Sequence, residues 1–158
     1  MKKSLILALP SLLVACGGST PPAAEPTGSA PEAAAPSAGD AANFSQQAAA
    51  GGELYGKHCA ECHGAHGNDG KAPPVVGLDK GALPLDPPAS AKFRKTQFKT
   101  VADIADFVVK SMPPKAPGSL SADEYYAILA FDLKANGIDL GDKKLDGALA
   151  STLEVPRK

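Results

Sequence analysis

The chain has 158 residues and a formal net charge of −1, so its charge does not indicate binding to nucleic acid. Aromatic residues make up only 5% of it and tryptophan is absent, so a small domain here has little aromatic mass from which to build a core. The chain contains three cysteines. Two of them belong to one motif and the third to another, so we expect no disulfide.

The N-terminus has the organisation of a bacterial signal peptide. Two lysines follow the first methionine, and residues 5–15 are apolar but too few to span a bilayer. The apolar run ends in Leu-Val-Ala before Cys16, which resembles the bacterial lipoprotein signal, in which the cysteine is lipidated and becomes the first mature residue. We expect a lipoprotein-type signal peptide over residues 1–15 and a lipid on Cys16. A plain secretory signal with a chance cysteine is the alternative.

Residues 16–43 are predicted to be the lipidated cysteine and a linker. The segment is rich in Ala and Pro, with Gly, Ser and Thr, and has no apolar periodicity. A flexible chain of this length spans about 30 Å on average, enough for a tethered domain to move between partners on a membrane surface. A mere spacer is the alternative. Gly17, where an inner-membrane lipoprotein of enteric bacteria has Asp, favours the outer membrane over the inner one.

The next segment, residues 44–63, has a helical pattern that ends in the motif Cys59-Ala-Glu-Cys62-His63. C-x-x-C-H is the attachment site of a c-type haem. Two thiols form thioethers with the vinyl groups of the porphyrin, and the imidazole ligates the iron. The helical spacing places all three groups on one face. We therefore predict that Cys59 and Cys62 bind haem covalently and that His63 is the proximal iron ligand.

Two other uses of a C-x-x-C pair are less favoured. A thioredoxin-type redox motif needs a βαβ context, and no β-branched strand pattern flanks these residues. A zinc site needs a second Cys or His pair at ligand spacing, which the sequence downstream lacks. Haem attachment is the interpretation that needs all three residues of the motif in their order.

A glycine-rich loop, residues 64–70, is predicted to follow the motif and to lead into a proline-rich stretch. Proline keeps that stretch extended and leaves carbonyl groups free. A carbonyl of this stretch can accept the Nδ1–H of His63 and fix its tautomer. His58 and His66 are expected to be solvent-exposed and not to be iron ligands.

Two further helices are indicated by their caps. Thr100 is a predicted N-cap with an acid three residues on, and this helix is expected to stop before Pro113. Ser121 opens a capping box whose helix ends at Asn136-Gly137. No segment requires a strand, so the predicted fold class is all-α.

Met112 stands between these two helices, in Ser-Met-Pro-Pro. It is the only methionine apart from Met1. A methionine more often fills a core than binds a metal. Here prolines would hold it rigidly just past a helix end, and a thioether is a soft ligand that raises the reduction potential of a haem. We therefore predict Met112 as the distal iron ligand.

Two further segments lie outside these motifs. Residues 92–99 are locally basic and contain two phenylalanines. They are either a docking patch for an acidic redox partner or a solvated loop whose phenylalanines pack on the haem or the core. Residues 139–158 are a C-terminal extension with widely spaced leucines, which we expect to pack back on the domain at least partly.

Taken together, the motifs resemble class I (monohaem) cytochrome c over residues 44–138. The residues that carry the resemblance are Gly51, Tyr55, Cys59, Cys62, His63, Pro73, Met112, Ile128 and Phe131. It implies a cytochrome c fold with about three to four main helices around one covalent haem c. It also implies a close crossing of the first and last helices, with Gly51 and Tyr55 facing Ile128 and Phe131, and it matches Pro73 to the proline that orients the ligating histidine.

The expected function is one-electron transfer by a membrane-tethered protein, not catalysis. His63 and Met112 would fill both axial positions of the iron. The expected partners are redox proteins, with no nucleic acid, and the protein is expected to be a monomer on the periplasmic side of a bacterial membrane. Two alternatives stay open: a haem-based gas sensor or ligand-binding module in which Met112 detaches, or the cytochrome subunit of a membrane dehydrogenase or oxidase.

Overall fold

The structure, a computed structural model, describes residues 36–78, 82, 85–87, 89–90 and 94–156. It contains five helices in the described residues: α1 Phe44–His58, α2 Ala60–His63, α3 Val101–Ser111, α4 Ala122–Ala135 and α5 Gly147–Thr152. The same residues contain no strand beyond one isolated bridge. The predicted all-α fold is confirmed. The signal peptide and Cys16 lie outside the described residues, so their predictions stay untested.

Helix α1 begins and ends for local reasons. Asn43 caps it, since its Oδ1 accepts a hydrogen bond from the amide of Gln46 at 3.0 Å. It ends because Cys59 leaves the helical conformation, with φ −121° and ψ −36°. The predicted helical stretch 44–63 is therefore divided at Cys59 into α1 and the short α2. Cys59 is thus the C-cap of α1 and the N-cap of α2, and Cys62 and His63 follow within α2.

The last residues of the predicted linker pack on the helical domain. Ala38 and Ala41 are buried. The carbonyl of Gly39 accepts a hydrogen bond at 3.1 Å from Nζ of Lys144, far along the chain. Ordered packing on the domain thus begins before residue 44.

Helices α1 and α4 cross at a glycine. Gly51 is buried so close to α4 that a Cβ placed on it would lie 1.8 Å from the carbonyl oxygen of Ala127 and 3.0 Å from the amide nitrogen of Ile128. One turn on, the rings of Tyr55 and Phe131 are in contact, with centroids 5.0 Å apart. The crossing expected of the first and last family helices is therefore confirmed.

Capping boxes set the starts of α3 and α4. The amide of Thr100 donates to Oδ2 of Asp103 at 2.9 Å, and the amide of Ser121 donates to Oε2 of Glu124 at 2.7 Å. These bonds lower the pKa of both carboxyls, because they stabilise the charged form. At the other end of α4, Gly137 adopts φ +81°, which ends the helix where the sequence predicted.

The C-terminal extension is part of the core. Gln47 of α1 is completely buried and bonds the backbone of Leu145 twice, donating to its oxygen at 2.8 Å and accepting from its nitrogen at 2.7 Å. The amide of Val155 donates to the oxygen of Lys99 at 2.9 Å. The main buried cluster consists of Phe44, Ala48, Phe98, Val101, Ile104, Ala105, Leu129, Ala130, Leu133, Leu145, Ala150 and Val155. The tail packs back as predicted and adds the unforeseen α5.

In the part of the chain that the structure describes, no helix combines the length and the apolar character needed for a bilayer crossing.

Candidate functional site

The two cysteines of the motif stand at a tight turn between α1 and α2. The amides of Cys62 and His63 both donate to the carbonyl of Cys59, at 3.1 and 3.0 Å. Both thiols are free; Cys59 is half-buried and Cys62 is exposed. The structure thus brings the three motif residues together on one turn of chain.

The tautomer of His63 is fixed by the next loop. Its Nδ1 lies 2.8 Å from the carbonyl oxygen of Pro73. A carbonyl can only accept, so Nδ1 carries the proton and Nε2 keeps its lone pair for a metal. The loop returns to the motif closely, because the amide of Ala72 donates to the oxygen of Cys62 at 2.9 Å. A Cβ on Gly70 would lie 2.2 Å from that same oxygen, so a side chain there would block the return.

The side chain of Asn136 holds the stretch after Pro73. Its Oδ1 accepts from the amides of Gly77 and Leu78 at 2.8 and 3.1 Å, and its Nδ2 donates to the oxygen of Val75 at 2.9 Å. From the sequence Asn136 was predicted only as a helix end. Its contacts to the loop are long-range, and no local pattern predicts them.

Met112 follows α3 as its C-cap. Its amide donates to the oxygen of Val108 at 2.8 Å, and its own carbonyl oxygen accepts from the hydroxyl of Tyr125 at 2.7 Å. The methionine is half-buried. Its backbone is therefore held on both sides, by its own helix and by α4.

The loop of Met112 lies beside the C-x-x-C-H turn. Nζ of Lys115, just after the Met-Pro-Pro sequence, is 3.4 Å from Oε1 of Glu61, between the two cysteines. Both side chains are exposed, so the pair adds little stability. The ion pair does, however, show that the loop carrying Met112, the predicted distal ligand, lies next to helix α2, which carries His63, the predicted proximal ligand.

A buried carboxyl faces this region from α4. Oδ1 of Asp132 is buried and has no hydrogen-bond partner in the described part of the chain. Burial raises its pKa to about 8. Burial, followed by the charges of Asp132 and Cys62, raises the pKa of the Cys59 thiol to about 12. Burial and then Asp132 raise the pKa of Tyr55 as well. Asp132 was not predicted from the sequence, although it is the one acid in the otherwise apolar stretch 127–133 of α4.

The remaining histidines stay outside the site. His58 and His66 are exposed, as predicted. Nδ1 of His66 lies 3.0 Å from Oδ2 of Asp69, and hydrogen bonds from His66 lower the pKa of that carboxyl. This pair closes the glycine-rich loop on itself.

The basic stretch 92–99 is only partly described. Lys92 and Phe93 lie outside the described residues. Phe98 is buried, with the guanidinium of Arg94 3.6 Å above its ring centroid. One of the two phenylalanines therefore packs into the core, and the alternative role of the stretch as a docking patch stays a prediction.

The donor set fits a c-type haem. It offers two free thiols at the right spacing, an imidazole whose Nε2 is left for the iron, and a methionine on the adjoining loop. Within the described residues no cluster of three or more His, Cys, Asp or Glu side chains is arranged to hold a bare metal ion.

The fold and this donor set define a class I cytochrome c domain. Residues 46–131, more than half of the chain, match the family model of cytochrome c oxidase, cbb3-type, subunit III. The chain belongs to this cytochrome c family. Membership of the family implies a haem cofactor and haem-based electron transfer. The predicted resemblance to class I cytochrome c is confirmed, whereas the lipoprotein anchor stays a prediction.

One solved structure was also found to be similar. It is a chain of the sulfane dehydrogenase SoxCD from Paracoccus pantotrophus, with 30% sequence identity and a TM-score of 0.49. The match covers 67% of this chain and 51% of that chain, so this chain spans about half the length of that relative. No curated protein matches the chain.

Proposed function

We propose that this cytochrome is a one-electron carrier with a single haem, bound covalently through Cys59 and Cys62 and ligated by His63 and Met112. The observation that carries the proposal is the 2.8 Å contact between Nδ1 of His63 and the oxygen of Pro73. It leaves Nε2 for the iron and makes the imidazole a better electron donor. The adjoining loop offers Met112 for the opposite side.

The chain's own residues have simple tasks in this proposal. The haem supplies a one-electron iron couple when bound. The two thioethers and the two ligands hold it in one orientation. With His63 and Met112 both ligating the iron, no position would be left for a substrate, so the proposed protein would be a carrier and not an enzyme.

Visible spectra test the axial ligands. The reduced protein should show the narrow bands of a low-spin c haem, and the oxidised protein a weak sulfur-to-iron band in the far red. Met112→Ala should lose the far-red band and keep its haem. His63→Ala should lose the low-spin spectrum, whereas His66→Ala, which changes an exposed histidine in the next loop, should match the wild type. A wild-type protein without the far-red band would refute methionine ligation.

Haem extraction tests the covalent bonds. Acidified organic solvent should leave the haem on the denatured wild-type chain, since thioethers survive it. The double variant Cys59→Ser, Cys62→Ser should release any haem it binds. Release from the wild type would contradict covalent attachment. The haem-to-protein ratio of the wild type should be one.

We further propose that a lipid on Cys16 anchors the domain on the periplasmic side of a bacterial membrane. The linker that follows Cys16 would be the flexible tether between the lipid and the domain. The lipoprotein-type signal and the choice of Gly17 support this location, with the outer membrane favoured. Cys16→Ser should move the protein from the membrane fraction to the soluble periplasmic fraction. Equal membrane association of wild type and variant would refute the anchor.

A second candidate is a cytochrome subunit of a membrane oxidase or dehydrogenase, supported by the description of the matching family as an oxidase subunit. The size of the detergent-solubilised membrane form separates the two. A monomer that exchanges electrons with soluble redox proteins supports the free carrier, and a stable larger complex supports the subunit. Rapid and complete carbon monoxide binding by the reduced protein would instead favour a ligand-binding module.

A further inference from the structure

Helix α4 carries two polar side chains, one contacting the loop of Met112 and the other contacting the loop that follows Pro73. Tyr125 is near its beginning and Asn136 caps its end. They are separated by about three full helical turns, so they lie on the same face, about 16 Å apart along the axis. One contacts the backbone of Met112, and the other contacts the loop that follows Pro73.

The contact at the Met112 end is a single strong hydrogen bond. The hydroxyl of Tyr125 donates to the carbonyl oxygen of Met112 at 2.7 Å, and the tyrosine is buried. The carbonyl cannot move away without leaving a buried hydroxyl unpaired, which is unfavourable. The backbone position of Met112 is thus tied to α4 as well as to α3.

The contact at the other end uses the whole amide of Asn136. Three of its bonds reach Val75, Gly77 and Leu78, and a fourth joins Nδ2 to the oxygen of Asp132 within α4 at 2.8 Å. Both acceptor positions of Oδ1 and both donor positions of Nδ2 are therefore occupied, which fixes the orientation of the Asn136 side chain. The nearest anchored residue, Val75, is two positions after Pro73, so the anchor limits where the Pro73 carbonyl can sit relative to His63.

We propose that Tyr125 and Asn136 are positioning residues, the two ends of an α4 clamp that sets the separation between the loop carrying Met112 and the Pro73 loop that orients His63. Tyr125 limits how readily Met112 leaves the iron, and Asn136 keeps Pro73 aligned on His63. The inference rests on the proposed haem ligation by His63 and Met112. It adds two residues that do not touch the iron and act only through its ligands.

Carbon monoxide tests the Tyr125 end, because it must displace Met112 from the reduced iron. Its apparent affinity therefore reports the fraction of protein in which the methionine is detached. Tyr125→Phe removes one hydrogen bond and keeps the ring, so the affinity should rise by up to about tenfold. Tyr126→Phe is the matched control, since its hydroxyl lies beside Gly147 in α5. It should leave the affinity unchanged.

The reduction potential tests the Asn136 end. Loss of the Pro73 contact makes His63 a weaker donor to the oxidised iron, so the potential should rise. A tenfold change in the relative stability of the two oxidation states corresponds to about 59 mV for one electron, and Asn136→Leu should approach this shift. Asn136→Asp, which keeps the acceptor for Gly77 and Leu78, should shift the potential less. This second variant keeps the test valid if the first does not fold.

The control for a merely structural role is Asn43→Ala, which removes the cap of α1. It should lower stability by loss of a capping bond without moving the potential or the carbon monoxide affinity. The clamp is overturned if the Tyr125 and Asn136 variants behave like Asn43→Ala. A wild-type protein that lacks the low-spin c-haem spectrum overturns the proposed function and the clamp together, so the two failures are distinguishable.

Discussion

The crossing of α1 over α4 yields a quantitative prediction at Gly51. A Cβ on Gly51 would lie 1.8 Å from the oxygen and 2.4 Å from the carbon of the Ala127 carbonyl. Both are backbone atoms of a helix, so neither can rotate away. Ordinary contact begins near 3.4 Å, so Gly51→Ala must push the helices apart by about 1.6 Å. This separation would loosen every side chain packed between them, including the rings of Tyr55 and Phe131.

The expected cost of Gly51→Ala can be bounded. Overpacking that forces backbone shifts costs about 1–3 kcal/mol, and sometimes more. Alanine gains back about 1 kcal/mol of helix propensity over glycine. Because the clash is with backbone and the core on both sides must loosen, we place the net loss at about 2 kcal/mol or more. That is a large share of the roughly 5–15 kcal/mol that holds a small domain folded.

Two glycines of the same helix provide matched controls. A Cβ on Gly56 would meet no atom within 4 Å, so Gly56→Ala should stabilise the protein by about 0.5–1 kcal/mol. A Cβ on Gly52 would lie 3.2 Å from the ring of Phe131, a side chain that can shift, so Gly52→Ala should fall between the two. Urea unfolding followed by circular dichroism measures all three. Equal stability of the Gly51 and Gly56 variants would refute the packing argument.

Three other substitutions test separate parts of the fold. Gln47→Leu leaves the backbone N–H and C=O of Leu145 unpaired and should lower the free energy of unfolding in urea by about 2 kcal/mol or more. Limited proteolysis should then cleave the C-terminal tail faster, and an unchanged cleavage rate would contradict the anchoring role of Gln47. Burial raises the pKa of Asp132 to about 8, so the native chain keeps a proton that the unfolded chain has released. The free energy of unfolding should therefore fall as the pH rises from about 4 to 8, by up to about 1.4 kcal/mol per pH unit. Asp132→Asn should remove this pH dependence. Ser121→Ala removes a capping box and should lower the free energy of unfolding by about 1 kcal/mol in thermal or urea unfolding. An unchanged free energy of unfolding would show that the capping box does not stabilise α4.

The parts of the fold that were predictable depend on chemistry close in sequence. The starts of α3 and α4 were predicted because Thr100 and Ser121 pair with acids three residues on. The end of α4 was predicted because Gly137 tolerates a positive φ. The break at Cys59 and the helix α5 were not predicted. The position of α5 depends on contacts such as that of Gln47, whose partner lies 98 residues away, and no local pattern encodes such a pairing.

The residues of the candidate site likewise divide into those that a local sequence pattern predicts and those that it does not. The spacing of Cys59, Cys62 and His63 is a local signal, and so is the placement of Met112 before two prolines. The family resemblance added Pro73. The supporting side chains on α4 were missed because tyrosine and asparagine are ordinary at a buried position and at a helix end. Their spacing of about three helical turns on one face was the available clue, but it acquires meaning only once both loops are seen beside α4.

The burial of α4 explains why this helix can serve both the core and the site. Its exposed residues, such as Asp123 and Lys134, lie near its ends, whereas its middle is covered on several sides. One side, with Ala127, packs against α1, and a different side carries the two polar contacts to the ligand loops. A helix covered in this way cannot shift toward one partner without disturbing the others, because protein interiors are close-packed. The rigid crossing with α1 therefore gives the Met112 loop and the Pro73 loop that orients His63 a common and stiff support.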